Sequence, residues 1–142
     1  MKKQGFYIFI FTFYLWLVGC SIPNFEPPEC TQSREAVRDF YSFHIGNDMK
    51  FSLENLKLRE KFLSPELYKS LKNVQNDADI FTTNGQDFPK TFRVGGCKVI
   101  DTKKTNVEVI FFWKTDTRTE QKIIHAETVN ENGKWLINKV EK

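Results

Sequence analysis

The sequence predicts an α+β domain, with three N-terminal helices packed on a curved antiparallel sheet. Two observations carry this. Helix starts and 3.6-residue apolar spacing fill the stretch from Ser33 to Asp77, whereas strict alternation fills Asn106–Lys114. Asn132-Gly133, between two strand-like runs, is a strong signal for a tight hairpin. Helices first and strands after is the order of an α+β fold, with the sheet curled over the helices.

Ahead of the domain stands a leader. Lys2 and Lys3 precede an apolar run from Phe6 to Val18, and the composition then turns abruptly to Pro, Asn and Glu. This is the pattern of a secretory signal peptide. Thirteen residues rise about 20 Å as a helix, short of the roughly 30 Å hydrocarbon core of a bilayer. Leu17-Val18-Gly19-Cys20 resembles a bacterial lipobox, in which the cysteine is acylated and becomes the new N-terminus. The resemblance implies a signal peptide over 1–19, a lipidated Cys20, and anchoring to the membrane of the cell envelope. Ser21 rather than Asp follows the cysteine, which in a Gram-negative cell implies the outer membrane, facing the periplasm.

Cleavage before Cys20 leaves 123 residues, the size of one domain. Seven of the 21 aromatic residues leave with the leader, and fourteen remain for a core. The charge of +3 falls to +1, because Lys2 and Lys3 go and no acid does. That balance argues against nucleic-acid binding, which usually demands a strongly basic face. With Cys20 lipidated, Cys30 and Cys97 form an even pair in a compartment that permits disulfides. The sequence therefore predicts a Cys30–Cys97 bridge, helped by Gly95-Gly96, where missing side chains let a second backbone approach. Neither cysteine has a partner at zinc-ligand spacing, so no metal is expected, and no cofactor motif is present.

Residues 20–30, with Pro23, Pro27 and Pro28, read as a tether, and 31–142 as the domain. Ser33 is the expected cap of a first helix reaching Ile45, with Val37, Phe40, Tyr41 and His44 on one face. Ser52 opens a short second helix. Ser64-Pro65-Glu66 is the clearest start in the chain, leading a third helix to Asn76-Asp77. A polar loop over 77–93 follows, and then strands over Val94–Asp101, Asn106–Lys114, Glu120–Val129 and Lys134–Val140. In the second of these, Val107, Val109, Phe111 and Trp113 share one face.

The run Glu35-Ala36-Val37-Arg38-Asp39-Phe40-Tyr41-Ser42-Phe43-His44 resembles the opening helix of a family of uncharacterised bacterial lipoproteins with a nuclear-transport-factor-2-like (SnoaL-like) domain. Phe62-Leu63-Ser64-Pro65-Glu66-Leu67, Asp77-Ala78-Asp79-Ile80-Phe81, Gln86-Asp87-Phe88-Pro89 and Asn132-Gly133-Lys134-Trp135-Leu136-Ile137 follow in the family's order. The resemblance implies a cone of helices on a bent sheet with a cavity at its wide end. It implies no activity, because one fold serves enzymes, binders and scaffolds alike.

SnoaL-like enzymes place an acid or base in that cavity, which makes His44, Asp39, His125, Glu127 and the acids of the 77–87 loop the catalytic candidates here. His44 lies on an apolar helix face, where a histidine satisfied by hydrogen bonds is the commoner occupant. His125 and Glu127 lie two apart on a strand and share a side, as a base and its orienter would, or as solvated residues of an open face. Asp77, Asp79, Asn84 and Asp87 gather oxygens without EF-hand spacing and read as helix-stop and turn residues. The sequence thus favours a non-catalytic, membrane-anchored lipoprotein that binds an envelope protein or a small apolar ligand. The alternatives are a SnoaL-like enzyme with its acid or base in the cone, and an accessory subunit of an envelope complex.

Overall fold

The computed structural model describes residues 25–75, 78–83, 85, 87–114, 116–117 and 119–142. The leader, the lipobox with Cys20, and the turn residues Asp77 and Asn84 lie outside the described residues. Among the described residues three helices precede four strands: α1 (Pro28–Ile45), α2 (Leu53–Arg59) running into a 3₁₀ turn (Glu60–Phe62), and α3 (Pro65–Leu71). The strands β1 (Thr91–Asp101), β2 (Lys104–Lys114), β3 (Thr119–Glu131) and β4 (Lys134–Glu141) form one antiparallel sheet in the order β1-β2-β3-β4. This is the expected α+β arrangement, three helices on an antiparallel sheet. Among the described residues no helix is long and apolar enough to cross a membrane.

The cap of α1 lies six residues earlier than the expected Ser33. Pro27 is the extended N-cap (φ −53°, ψ 139°) and Pro28 takes the first helical position. Proline is suited there, because its fixed φ is helical and its missing N–H has no intrahelical partner to lose. The Pro-Pro pair that reads as tether is therefore a helix start, and Cys30 belongs to the first turn of α1. Ser33, instead of capping, is buried and returns its hydroxyl to the Cys30 carbonyl at 3.3 Å. The expected face is borne out: Val37, Phe40, Tyr41 and His44 are all buried.

Ser52 and Ser64 cap α2 and α3 as expected, accepting from the N–H groups of Asn55 (3.0 Å) and Leu67 (3.1 Å). α3 ends at Leu71, short of the expected Asn76-Asp77. Ser64 also ties α3 to the sheet: its N–H donates to the Ile137 carbonyl at 2.8 Å and its hydroxyl to Asn138 at 2.8 Å.

β1 starts at Thr91, inside the expected loop, where Thr91–Arg93 pair with Phe112–Ile110. Gly95 and Gly96 form a bulge opposite Glu108, between the pairs Val94–Val109 and Cys97–Val107. A Cβ on Gly95 would stand 2.9 Å from Glu108 Oε1 and 3.2 Å from Glu108 Cβ, so the glycine makes room for that side chain. The β3–β4 turn has positive φ at both Asn132 (54°) and Gly133 (85°), the pairing a two-residue hairpin requires. The alternation in β2 is also borne out, with Val107, Val109, Phe111 and Trp113 all buried against the helices.

The Cys30–Cys97 disulfide is present, with Cα atoms 5.7 Å apart. It fastens the first turn of α1 to β1 just past the glycine bulge.

Candidate functional site

Between the helices and the sheet the space is filled by rings. Phe40 packs edge-on against Tyr41 (4.8 Å between centroids) and Phe81 (5.1 Å), and Tyr41 against Phe111 (5.3 Å). Trp113 closes the row against Phe111 at 6.4 Å and donates its indole N–H to the Asp87 carbonyl at 3.0 Å. Offset and edge contacts of this kind are the preferred aromatic geometries.

His44 sits at one end of this core, stacked on Phe40, and is joined to Arg59 and Asp79. All three are 1–2% exposed. α1 supplies His44 on its apolar face, the end of α2 supplies Arg59, and the loop after α3 supplies Asp79. Arg59 Nε lies 2.7 Å from His44 Nδ1. A guanidinium has only donors, so Nδ1 accepts, and the imidazole is neutral with its proton on Nε2. That proton is donated to Asp79, whose two oxygens lie 3.0 and 3.1 Å away. The histidine thus relays between a buried cation and a buried anion.

Further hydrogen bonds hold the two ends of the cluster. Arg59 donates to the carbonyls of Asn55 and Asp48, each at 2.7 Å, and Asp79 accepts from the Phe81 N–H (2.9 Å) and the Thr82 hydroxyl (2.6 Å). Burial pulls the Arg59 pKa below its ordinary value, against the carboxylates of Asp79 and Asp48, which raise it. Tyr41 donates to the Phe81 carbonyl at 2.8 Å, and burial, followed by the nearby Asp79 charge, holds its phenol well above the ordinary tyrosine pKa. The cleft that reaches this centre, lined by His44, Arg59 and Asp79 among others, encloses only about 10 Å³. That is room for about one water molecule. The cluster binds three segments of chain together and offers no free acid or base to a substrate.

The other candidates lie on the surface, apart from His44. Asp39 is exposed on the opposite flank of α1 and lines a groove of about 300 Å³. One wall of the groove is acidic, with Glu35 and Asp39 one helical turn apart; the other is basic, with Lys61 and Lys134. Phe62 and Trp135 provide apolar surface between them. Trp135 is held by its indole N–H donating to Gln32 at 2.9 Å, and Lys134 reaches the Lys61 carbonyl at 2.7 Å. Lys61 lies 4.9 Å from the Phe62 ring centroid, in cation–π range. No described residue pairs with Glu35 or Asp39.

His125 and Glu127 lie on the open face of the sheet and take separate partners. His125 Nδ1 is 3.0 Å from Asn106 Oδ1, and Glu127 accepts from Asn138 at 2.8 Å. The shallow hollow beside His125, about 280 Å³, also exposes Lys98 and Glu108. These are solvated residues of an open sheet face, the alternative to a base and its orienter. Among the described residues no group of three or more His, Cys, Asp or Glu side chains could hold a metal ion.

Sequence reasoning found His44, counted Asp79 only among the loop acids without pairing the two, and missed Arg59. Arg59 reads as one more surface charge of a short helix. Asp79 reads as a turn residue, which it also is, since its carboxylate caps Phe81 two positions on.

No family model and no curated protein matches the sequence. Among solved structures, the chain is similar to a protein of unknown function from Bacteroides thetaiotaomicron VPI-5482, with a TM-score of 0.50 and 21% identity. The likeness covers 80% of this chain and 91% of that one. At that identity it extends to the fold alone.

Proposed function

We propose that this chain is a membrane-anchored lipoprotein of the cell envelope whose domain binds another envelope protein and catalyses nothing. The observation that carries this reading is where the free chemistry lies. Inside, rings fill the core and the only histidine there has both nitrogens engaged. Outside, the groove between α1 and the β3–β4 hairpin presents Glu35 and Asp39, which no described residue pairs, beside half-buried Phe62 and an edge of the largely buried Trp135. Aromatic surface edged by charges is the composition of protein-binding hot spots. A small apolar ligand inside the domain is disfavoured by the same packing, as is a SnoaL-like enzyme built on His44. The three helices and the bulged sheet suit a nuclear-transport-factor-2-like cone, here with its interior occupied by the chain's own side chains.

The test is photocrosslinking in intact membranes. A benzophenone amino acid placed at Ala36, on the groove wall, should give one discrete adduct, and the same probe at Lys114, at the far end of β2, should give none. Equal adducts from both positions, or none from Ala36, would defeat the groove as the binding site.

A further inference from the structure

Both hairpin tips and the start of α1 meet at one end of the molecule. Register fixes the tips: Asp101 faces Lys104, Lys104 faces Val129, and Glu131 faces Lys134. The Asn130 N–H donates to the Lys103 carbonyl at 2.7 Å, joining them. α1 runs back along β1, since Cys30 bridges Cys97 whereas Tyr41 packs against Phe92, 5.9 Å between centroids. Phe25, three residues before the helix, therefore lies on the tip side of Cys97. Phe25 is 89% exposed, and Ile100, near the end of β1, is 50% exposed.

Lys98, Lys103, Lys104 and Lys134 belong to the same end. Of the carboxylates there, Glu26 is paired with Arg34 at 2.9 Å and Asp101 accepts the Lys103 N–H at 2.7 Å. Glu29 and Glu131 lie there too, Glu35 lines the groove beside Lys134, and Glu108 shares a hollow with Lys98. Four residues separate Cys20 from Phe25 in the sequence, so their Cα atoms are at most roughly 18 Å apart.

We propose that this end rests on the bilayer, with Phe25 and Ile100 entering the headgroup layer and Lys98, Lys103 and Lys104 contacting anionic lipid phosphates. The proposal rests on lipidation at Cys20. A short tether from an acylated cysteine delivers this end, and no other, to the membrane. Apolar side chains flanked by lysines suit the interface, where the ammonium groups meet anionic lipid. Acids at this end match the lysines in number, so the anchor holds the protein in place and the lysines set only its tilt.

The experiment acetylates exposed amines on the full lipoprotein, in opened membranes and in detergent, and reads each lysine by mass spectrometry. Labelling of Lys98, Lys103 and Lys104 should fall about threefold or more in membranes, with Lys90 and Lys114 at the far end unchanged. Purified lipoprotein in phosphatidylglycerol vesicles should show the same protection, and in phosphatidylcholine vesicles less. Uniform labelling of an acylated, membrane-bound protein would overturn the orientation alone. Absence of fatty acid on Cys20 would overturn the anchoring reading and the proposal with it. Protection in native membranes that is absent in phosphatidylglycerol vesicles would assign this end to a protein neighbour and overturn the lipid contact. A Lys103→Glu, Lys104→Glu variant should stay membrane-bound and lose the protection of Lys98. Unchanged protection of Lys98 in that variant would overturn the phosphate contacts.

Discussion

His44 shows how a residue acquires a role from neighbours the sequence does not place beside it. Its position on the apolar face of α1 was legible from spacing alone. Its partners, Arg59 and Asp79, lie 15 and 35 positions away and meet it only in the folded chain. Replacing His44 with Ala would leave a buried guanidinium and a buried carboxylate without their bridge. Breaking such a network typically costs about 3–5 kcal/mol, which urea unfolding of the domain should register. Tyr41→Phe should cost less, about 1–3 kcal/mol, because it leaves only the Phe81 carbonyl unpaired. The same phenol gives a pH signature. Its pKa is raised in the folded state, so its contribution to stability is full below the ordinary tyrosine value of 10.0 and is lost as pH rises above it. Unfolding curves from pH 8 upward should therefore show stability falling beyond about pH 10, and Tyr41→Phe should flatten that fall. An unchanged slope in the variant would separate Tyr41 from the alkaline transition.

Among the elements, those announced by local chemistry were legible and those set by distant contacts were not. Ser64-Pro65-Glu66 names its helix start because the cap, the proline and the acid act within one turn. Asn132-Gly133 names its hairpin because few residues tolerate two positive φ angles in succession. The start of α1 was hidden, because Pro27-Pro28 reads equally as tether and as first turn until Cys30 is seen bridged to Cys97. The onset of β1 was hidden because Thr91–Arg93 gain their strand character from pairing with β2. The disulfide was legible through cysteine parity, and its weight can be measured. Its cysteines are 67 positions apart, a loop for which chain entropy gives about 4 kcal/mol. Reduction, or Cys30→Ala with Cys97→Ala, should destabilise the domain by about 2–5 kcal/mol and lower its melting temperature. A melting temperature unmoved by reductant would show that α1 is held to the sheet by packing alone. Gly95→Val should also destabilise, because its side chain would press on Glu108 from across the bulge.

For the molecule as a whole, α+β architecture followed from the order of the two periodicities, since each buries one face and the faces must meet. The surface groove was not legible. It is assembled from α1, the 3₁₀ turn and the β3–β4 hairpin, and of its lining residues only Asp39 was singled out in the sequence as a site candidate. Lipidation is a whole-molecule property that the sequence alone predicts, and it has its own check. Cys20→Ser should abolish fatty-acid labelling and release the protein from membranes, whereas continued acylation would refute the anchor. The placement of function outside the core has a more direct test. It compares two variants, both verified as folded, in the Ala36 crosslinking assay: Glu35→Lys with Asp39→Lys, and His44→Gln. Reversal of the acidic wall should reduce the adduct by about tenfold or more, the effect of losing roughly 1.4 kcal/mol of binding, and His44→Gln should leave it intact. An adduct that survives the charge reversal and disappears with His44→Gln would contradict the account.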